Sequence, residues 1–528
     1  MFVSFRCFDD LFLLCGANCE SVRLLRVAFD DFGDQSGLRP NLQKSNMFVS
    51  SVSEDLKNDL VQCSGMAVKE LPVKYLGVPL ISTRLRVRVC EEIKKKMLMR
   101  VQSWTAKALS YAGRVQLVVA VLHSIQAYWC TIFVLPKKVL KEVDEILRRF
   151  IWTGTEMKKH GAKVAWSEVC CPKNEGGLGI KCIVTWNKAC MMRHLWDVAR
   201  KKDSLWVKWC HMFMLNGRNL WNMDIHGEVS WTWRKILKLR QIAQSFIKYK
   251  IGNGRDTWMW LDNWHPNGPL VKHYGPRIVY DSGRNITDWV SNFIQNNRWN
   301  LPIARSRDLI NIKNNMPLYR LDDSVHDYVE WSLHKSGSFS VASAWEAIRE
   351  HHIVVEWASV LWHKDSIPRC SIIAWLVCRN RLNTKDRLLK WGVVTEDSCI
   401  LCGMFGETRD HLFFHCDYST YIWKDVIHKC NFQYRSLSWN EELQYVIECC
   451  QGRTLGARIL RVAFCATIYC LWQERNKRIF QHCNCSSDNV IRDIEGYICA
   501  KARNWSVKRN LENWEVCHKW GIVESILI

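Results

Sequence analysis

Three cysteines and one histidine in a short stretch have the side chains and the spacing of a zinc site. The pattern is Cys399-x2-Cys402-x8-His411-x4-Cys416. Two cysteines separated by two residues can direct both thiolates at one ion, and the short loop after them lets the histidine and the third cysteine complete a tetrahedron. His415 adjoins Cys416 and can replace His411 as the nitrogen ligand. Because four protein ligands leave no open position for a substrate, the pattern predicts a structural zinc ion.

Two adjacent carboxylates near the amino terminus, Asp9 and Asp10, are a second candidate for metal chemistry. Paired aspartates can hold divalent cations for phosphoryl transfer, in which two metal ions stabilise the attacking and the leaving oxygen. The pair follows Phe8 and precedes the apolar run from Leu11 to Cys15. An Asp-Asp pair by itself is more often found in a turn or at a helix cap, so its interpretation depends on the elements around it.

The elements expected around these aspartates are two hairpins and a helix. The segment Phe8 to Cys15 resembles a short buried hairpin. Apolar residues recur at helical spacing from Glu20 to Gln35, and Ser36-Gly37 supplies a stop signal. Turn residues bracket a few apolar ones from Leu71 to Leu80, which favours a second tight hairpin. We therefore predict an α/β unit at the amino terminus, with the helix packed behind the first hairpin.

Lysine and arginine are concentrated in the next segment, Arg84 to about Arg149, which we predict to be all-helical. It contains 14 Lys and Arg against 5 Asp and Glu. Seven of its cations are candidates for contacts with a nucleic-acid phosphate backbone, namely Lys94, Lys95, Lys96, Arg100, Arg114, Lys137 and Lys138. Trp104 and Trp129 can add base stacking if they are exposed. The alternative is that the charges form a solvated helix face and that most tryptophans pack in the interior.

The composition is that of a globular intracellular protein. Of 528 residues, 48% are hydrophobic and 24% are charged, which excludes bulk disorder and collagen-like sequence. The net charge of +22 indicates a polyanionic partner, such as nucleic acid or an anionic membrane surface. An odd number of cysteines, 25, with no secretory signal is typical of reduced thiols rather than a disulfide framework. We expect no secretory or transmembrane segment, no membrane partner, and a location in the nucleus or cytoplasm.

The remainder of the chain is predicted to be helices and loops without a large sheet. Tryptophans and glycine-containing turns are frequent between Trp152 and Lys335. Helical periodicity returns from Val341 to Trp391, and the tail after about Leu455 has the pattern of an amphipathic helix. Three tryptophans of the middle region are expected to pack rather than to bind a ligand: Trp258, Trp260 and Trp264.

The order of these motifs resembles that of the reverse transcriptases of plant LINE-type (non-LTR) retroelements. Phe8-Asp9-Asp10 is similar to the aromatic-Ala-Asp-Asp catalytic box of that family. Two palm motifs of the family are similar to Ser36-Gly37-Leu38 with Asn41, Lys44 and Ser45 and to Tyr75 to Leu80. Its thumb motif is similar to Lys107-x-Leu109-Ser110-x-Ala112-Gly113-Arg114 with Val121-Leu122. The family's connecting segment is similar to Trp166, Cys171-Pro172-Lys173 and Glu175 to Ile180. The family's zinc-binding domain is similar to Gly337-x-Phe339-Ser340-Val341, Trp362, Ile367-Pro368-Arg369, Trp375, Asp386-Arg387-Leu388 and the Cys/His quartet. The segment after that domain is similar to Trp472-x-Glu474-Arg475-Asn476.

The resemblance implies a mixed, mainly α fold with five successive regions. These are a truncated α/β palm remnant (residues 1–85), a helical thumb-like region (86–150), a Trp-rich connecting region (151–324), a small helical reverse-transcriptase zinc-binding domain (325–425) and a C-terminal helical region (426–528). It also implies that Asp9 and Asp10 are what remains of the catalytic carboxylates.

Two departures from the family pattern concern this catalytic box. The family needs a third carboxylate from an earlier palm strand, together with fingers, and both are expected upstream of Met1. The alanine between the aromatic residue and the first aspartate is also missing, and one residue fewer in a strand of period two turns the following side chains to the opposite face. We therefore expect Asp9 and Asp10 to be non-functional, and Mg²⁺ to bind only if the polymerase site is complete.

Three functions remain open on the sequence alone. The leading hypothesis is a degenerate reverse-transcriptase fragment that binds zinc, binds RNA or DNA without sequence specificity, and is not catalytically competent alone. The second is the C-terminal part of an active RNA-directed DNA polymerase whose upstream sequence is missing. The third is a host-recruited zinc scaffold for protein interaction, whose binding would lack the steep salt dependence of phosphate contacts.

Overall fold

The structure is a computed structural model of the chain, and most of the sequence is described in it. It describes residues 3–7, 10–38, 41, 45–49, 52–69, 73–75, 77–81, 84–104, 109–158, 161–225, 229–304, 306–317, 321–523 and 526–527. In these residues the protein is mainly helical, with short strands joined two by two, as expected for a mixed, mainly α fold.

The strands of the described residues form five separate two-stranded sheets. Their bounds are β1 Val3–Cys7, β2 Asp10–Leu14, β3 Asn46–Met47, β4 Ala67–Val68, β5 Val73–Tyr75, β6 Val78–Leu80, β7 Ile247–Lys250, β8 Ile294–Gln295, β9 Arg298–Trp299 and β10 Tyr328–Trp331. The pair β3–β4 is parallel, and β1–β2, β5–β6, β7–β10 and β8–β9 are antiparallel. The second hairpin lies within Leu71 to Leu80 as expected, whereas the first spans Val3 to Leu14 rather than Phe8 to Cys15, in a register that runs from Val3 opposite Leu14 to Cys7 opposite Asp10. Leu14 is 46% exposed, so the expectation that this hairpin is buried is wrong at that residue.

Helices account for most of the remaining described residues. Before the zinc pattern they are α1 Cys19–Ser36, α2 Glu54–Ser64, α3 Glu91–Ser103, α4 Tyr111–Leu117, α5 His123–Ile132, α6 Lys137–Thr153, α7 Trp166–Cys170, α8 Ile183–Ala199, α9 Leu205–Trp209, α10 Trp231–Leu237, α11 Arg240–Ala243, α12 Leu270–Tyr274, α13 Arg277–Asp281, α14 Arg307–Asn314, α15 Val341–Ile348, α16 Ala358–Leu361, α17 Pro368–Cys378 and α18 Lys385–Lys390. After it they are α19 Asp417–Lys429, α20 Trp439–Cys450, α21 Leu455–Phe480, α22 Ser487–Ala502 and α23 Leu511–Lys519.

Local sequence signals explain the bounds of α1. The Asn18 side chain accepts a hydrogen bond from the Ser21 N–H at 2.8 Å, which satisfies one of the free donors at the helix start. At the other end Gly37 has φ +72°, a left-handed conformation in which glycine avoids the Cβ clash of other residues. The helix therefore begins and ends close to the positions that its capping residues predict.

The predicted helical region from Arg84 to Arg149 is also present, as α3 to α6. On α3 the side chains of Ile93, Met97 and Val101 are fully buried, as their spacing predicts. Val115, Val118 and Leu122, whose apolar spacing Val119 shares, are buried in the next helical stretch, whereas Val119 is 48% exposed. It lies in a π-helical stretch, Val118–Leu122, whose wider turn shifts side chains off the face that a 3.6-residue period assigns.

The chain forms two units, each assembled from separate segments. The first comprises Met1–Glu92, Trp129–Pro136 and Met191–Phe339. In its interior Trp331 contacts Trp196, Phe246 and Phe339 edge-on. The middle of the chain is thus short helices and loops around packed aromatic rings, and Trp260 and Trp264 are buried among them as expected.

The second unit comprises Ile93–Tyr128, Lys137–Cys190 and Ser340–Ile528. Its central element is α21, which packs against α16, α17, α19, α20 and α22. Trp423 of α19 and Trp439 of α20 are fully buried, and both contact the buried Phe464 of α21. This unit holds the zinc pattern; the five domain boundaries drawn from the sequence remain predictions.

Among the residues that the structure describes, two helical stretches are long and apolar enough, by length and composition, to cross a bilayer: Tyr111–Ile132 and Leu455–Phe480. In the second, 83% of the most apolar 18-residue window is buried inside the structure. A core helix of a globular protein passes the same test, so this finding is weak evidence for membrane crossing.

Candidate metal centre

The two close cysteines lie in a tight turn formed by the backbone around them. The Cys399 N–H donates to the Phe405 carbonyl, and the Gly403 N–H donates to the Cys399 carbonyl, both at 2.7 Å. Gly403 has φ +75°, a conformation that other residues rarely adopt. This turn points Cys399 and Cys402 in the same direction, as the Cys-x2-Cys spacing predicts.

The histidine and the third cysteine come from the next turn of chain. The His411 N–H donates to the Thr408 hydroxyl at 3.1 Å, at the start of a π-helical turn that covers His411–His415. Cys416 is the N-cap residue of α19. The short return loop thus delivers one nitrogen and one sulfur to the side of the turn where the first two cysteines lie.

The ligand atoms of Cys399, Cys402, His411 and Cys416 all lie within 4.8 Å of one another. The Cys399 and Cys416 sulfurs are 4.0 Å apart, and the Cys402 sulfur is 3.3 Å from His411 Nε2. In a tetrahedral zinc site, Zn–S bonds of about 2.3 Å and Zn–N bonds of about 2.0 Å place neighbouring donors about 3.5–3.8 Å apart. Three soft sulfur donors and one imidazole at these separations fit a zinc ion with all four positions taken by protein.

Of the two candidate histidines, only His411 is in this cluster. Its ring is part-buried next to the Cys402 sulfur and 5.6 Å from the Phe405 ring. The Nε2 atom of His415 lies 2.9 Å from the Leu437 carbonyl oxygen instead. The two imidazoles thus contact different groups, and the geometry favours His411 as the nitrogen ligand.

The environment of the thiols favours a thiolate, which is the form that binds metal. A hydrogen bond from the Cys416 thiol and the nearby N–H groups of Cys402 and Leu401 lower the pKa of Cys399 to about 5. The hydrogen bond to Cys399, followed by burial, raises the pKa of Cys416. A cation among these sulfurs would further stabilise their thiolate forms.

Helix α21 donates hydrogen bonds to the backbone of the turn that carries Cys399 and Cys402. The Arg478 guanidinium donates to the Leu401 carbonyl at 3.0 Å and to the Ile400 carbonyl at 3.4 Å. Glu474, one turn earlier, pairs with Arg478 at 2.7 Å and is almost fully buried. Two carbonyls of the metal-binding turn are thus held by a side chain 77 and 78 residues away in the sequence.

A buried ion pair fixes the other end of the loop. Glu407 and Arg475 are both almost fully buried and 2.7 Å apart. Glu407 also accepts the N–H of Lys385 at 2.9 Å, and the Arg475 guanidinium donates to the Asn383 carbonyl at 3.2 Å. A buried pair with further hydrogen bonds is costly to break from one side, so this contact ties the metal loop to α18 and α21.

The sequence expectation for the carboxylates cannot be compared with the structure in full. Phe8 and Asp9 lie outside the described residues, and Asp10 begins β2. Lys44 and Lys107 of the resembling motifs also lie outside them.

The seven candidate cations differ in their exposure and in their contacts within the protein. Lys94 is half-buried with its ammonium 2.7 Å from Glu142, and Arg114 donates to the Ile151 and Trp152 carbonyls at the end of α6. These two side chains make contacts within the protein. Four are exposed on α3 and α6, namely Lys95, Arg100, Lys137 and Lys138, while Lys96 is half-buried.

The two tryptophans named with them are not free stacking platforms. Trp129 is only 2% exposed, because it lies in the interior against Phe133. Trp104 contacts the buried Phe150 ring at 5.1 Å. The expectation that these indoles are exposed is therefore wrong, and the alternative of packing holds for both.

A second group of possible ligands, Glu175, Glu346 and His351, is an ion-pair cluster. The Arg349 guanidinium donates to Glu175 and Glu346, each at 2.5 Å, and so occupies the position that a metal would take. Arg349 was not recognised from the sequence, because it is 174 residues from Glu175. Arg475 stands in a motif of the resemblance, but its pairing with Glu407 was not predicted. The contact of Arg478 with the metal-binding turn was not predicted either, although Glu474 and Arg478 have the i, i+4 spacing of a helical ion pair.

Comparison with known proteins agrees with the metal assignment. The sequence profile of a family described as zinc-binding in reverse transcriptase matches residues 339–423, which include all four ligand candidates. A putative ribonuclease H protein of Arabidopsis thaliana is 27% identical over 369 residues, which are 66% of this chain and 58% of the relative. An uncharacterized mitochondrial protein of the same plant is 24% identical over 142 residues, which are 27% of this chain and 92% of the relative. The chain spans little more than half the length of the first relative, and these findings support a zinc-binding protein related to reverse transcriptases.

Proposed function

We propose that this chain is the zinc-binding part of a LINE-type (non-LTR) retroelement reverse transcriptase, and that it binds RNA or DNA without sequence specificity. The observation that carries the proposal is the cluster of Cys399, Cys402, His411 and Cys416 inside the segment that matches the zinc-binding family. These four side chains would hold the ion, and zinc in such a closed site supplies structural cross-linking rather than Lewis-acid catalysis.

Charge supports the nucleic-acid part of the proposal. The net charge is +22, and four cations predicted to contact phosphate are exposed on α3 and α6 of the second unit. Cations at a surface bind a phosphate backbone mainly by releasing its counterions, which is insensitive to sequence. Nonspecific binding is therefore the mode that this surface favours.

We further propose that the chain has no polymerase activity by itself. The basis is the shortened box at Phe8-Asp9-Asp10, in which one residue fewer changes the face on which the following side chains lie. Mg²⁺ would bind at Asp9 and Asp10 only in a complete polymerase site.

One set of assays on the purified full chain tests these proposals. Zinc content is measured by atomic emission, and binding is measured by the mobility shift of an RNA template annealed to a DNA primer. Primer extension is measured in the same tubes with Mg²⁺, beside the Asp9→Asn/Asp10→Asn double variant. We expect one zinc per chain, retarded substrate and no extension.

Each alternative gives a different result. Extension that disappears in the double variant would show a working polymerase and overturn the proposed inactivity. Zinc without any retarded substrate would favour a protein-binding scaffold.

A Lys95→Ala/Arg100→Ala/Lys137→Ala/Lys138→Ala variant should bind the annealed RNA–DNA substrate more weakly than a control variant does. The control removes four exposed cations of the first unit, Lys208, Lys248, Lys272 and Arg277.

A further inference from the structure

A cationic cleft lies where α17 ends and α18 follows, in the second unit. Its lining includes the cations Arg379, Arg381, Arg387 and Lys390. Asn380, Asp386 and Trp391 complete it. Four cations against one carboxylate make this cleft strongly positive, and neither the resemblance nor the charge pattern of the sequence assigns it a role.

Two of the four cations are available for a ligand without breaking an ion pair. Arg379 donates to Glu168 and to the Gly176 carbonyl, so it is engaged within the protein. Arg381 and Lys390 are exposed, and neither has a carboxylate within ion-pair distance in the part of the chain that the structure describes.

Arg387 lies close enough to other positive charges to be affected by them. Its guanidinium donates to the Asn380 carbonyl and lies 5.1 Å from the centre of the Trp391 ring. Burial, and then the charge of Arg381, lower the pKa of Arg387. An anion in the cleft would offset this repulsion, since it would face three positive groups at once.

The indole beside these cations is exposed. Trp391 has 56% of its surface accessible to solvent, at the carboxyl end of α18 and next to Gly392. A flat aromatic face next to arginine and lysine offers stacking to an unpaired base while the cations hold the adjacent phosphates. An acidic peptide would use the cations but has no need of the exposed ring.

We propose that this cleft binds a single nucleic-acid strand, with its phosphates at Arg381, Arg387 and Lys390 and one base on Trp391. The inference rests on the proposed function, and it gives that function a second surface and a preference for unpaired strands. Both RNA and DNA supply the phosphates and bases that the cleft would contact.

The metal loop positions this cleft. The Lys385 N–H donates to the Glu407 side chain at 2.9 Å, and the Lys385 ammonium donates to the Ser398 carbonyl at 2.7 Å. The Asp386 N–H donates to the Glu407 carbonyl at 3.2 Å. The first turn of α18 is thus attached to residues on both sides of Cys399 and Cys402, and zinc would keep the helix that bears Arg387, Lys390 and Trp391 in place.

The test uses the zinc-loaded full chain and fluorescence anisotropy. The probes are fluorescein-labelled single-stranded RNA and DNA of about 12 nucleotides and the matching DNA duplex. The variants are Arg381→Ala/Lys390→Ala and Trp391→Ala, and the control is Lys272→Ala/Arg277→Ala, which removes the same charge from exposed positions of the first unit. Arg381→Lys/Lys390→Arg keeps the charge in the cleft, and zinc content and circular dichroism report folding.

We expect the cleft double variant to raise the Kd for single strands about tenfold or more, and Trp391→Ala to raise it at least about fivefold. The control and the charge-keeping variant should stay within about twofold of wild type. Duplex binding should be insensitive to Trp391→Ala.

Other results would overturn the inference. If the wild-type chain binds the single strands and the cleft variants have the same Kd as the control, the cleft is not the binding site. The proposed function would then stand, because another surface would bind the nucleic acid. No binding of any probe by the wild-type chain would reject both. Competition by polyglutamate as strong as by unlabelled oligonucleotide of equal charge would make the cleft a site for acidic protein.

Discussion

At the scale of single residues, the metal centre depends on which of two nearby histidines faces the cysteines. Spacing alone permits both His411 and His415, since each is close enough in sequence to Cys416. In the structure His411 Nε2 is 3.3 Å from the Cys402 sulfur, whereas His415 contacts the Leu437 carbonyl. The direction of a side chain from a π-helical turn therefore decides the nitrogen ligand.

This assignment predicts different outcomes for two single substitutions. His411→Ala removes a ligand and should lower zinc affinity by at least about tenfold, since the loss of a group that only orients a metal ligand already costs that much. His415→Ala should leave zinc affinity within about twofold of wild type. Titration against a chromophoric zinc chelator measures both. Equal losses in the two variants, or a larger loss for His415→Ala, would contradict the assignment.

At the scale of elements, α21 is more than a core helix. Its carboxyl-terminal turns bring Glu474, Arg475 and Arg478 to the metal loop, where Arg478 holds two carbonyls of the turn and Arg475 pairs with Glu407. The segment that matches the zinc-binding family ends at residue 423, so this support lies outside it. The metal centre is built from the loop and from a helix that begins about 50 residues after the cysteine pair.

The contact predicts that Arg478 affects a metal that it does not touch. Arg478→Ala should lower zinc affinity about 10- to 100-fold, the range known for groups that orient metal ligands. Arg492→Ala on α22 removes an exposed arginine of the same unit and is the control. Zinc affinity is read by the chelator titration. An unchanged affinity in Arg478→Ala would show that the turn does not need this support.

A buried carboxyl in the first unit predicts a pH dependence. Asp262 is 2% exposed, and its oxygens accept from the Trp258 N–H at 2.7 Å and from Asn219 at 2.9 Å. Burial raises its pKa from 3.8 to about 7; these two hydrogen bonds and Lys201 oppose the rise, and Asp327 adds to it. Since the folded pKa lies above the unfolded one, the stabilisation is complete below pH 3.8 and is lost as pH rises through about 7.

The Asp262→Asn variant should remove this part of the pH dependence. Asparagine does not ionise, so the urea midpoint of the variant should fall less between pH 5 and pH 8 than that of wild type, even if one lost hydrogen bond lowers its stability at every pH. Tryptophan fluorescence follows the unfolding. The control is Asp323→Asn at an exposed carboxylate, which should keep the wild-type profile. Parallel profiles for wild type and Asp262→Asn would refute the prediction.

At the scale of the whole molecule, charge predicts how binding responds to salt. The net charge is +22, and the cleft offers three cations to a single strand. Neutralising about three phosphates of a single strand gives a slope of about −2 in a plot of log affinity against log salt. Affinity should then fall about 20-fold from about 50 mM to about 200 mM salt. Anisotropy at four salt concentrations measures the slope. A flat dependence would favour the protein-scaffold alternative.

The sequence by itself determined those features that depend on near neighbours. The caps of α1, the hairpins β1–β2 and β5–β6, the helical run from Arg84 and the spacing of Cys399, Cys402 and Cys416 all follow from residues close together in the chain. Secondary-structure propensity, turn chemistry and ligand spacing depend on a few neighbouring residues, so they can be recognised in a single sequence.

Only the tertiary structure decided the features that depend on residues far apart. The sequence allowed Trp129 to be an exposed stacking residue, but packing buries it. The ion pair between Glu175 and Arg349 and the hydrogen bond from Arg478 to the Leu401 carbonyl join residues 174 and 77 positions apart, so they have no local signal. Burial and ion pairing are set by which elements meet, because the free energy of a charge or an indole depends on what surrounds it after folding.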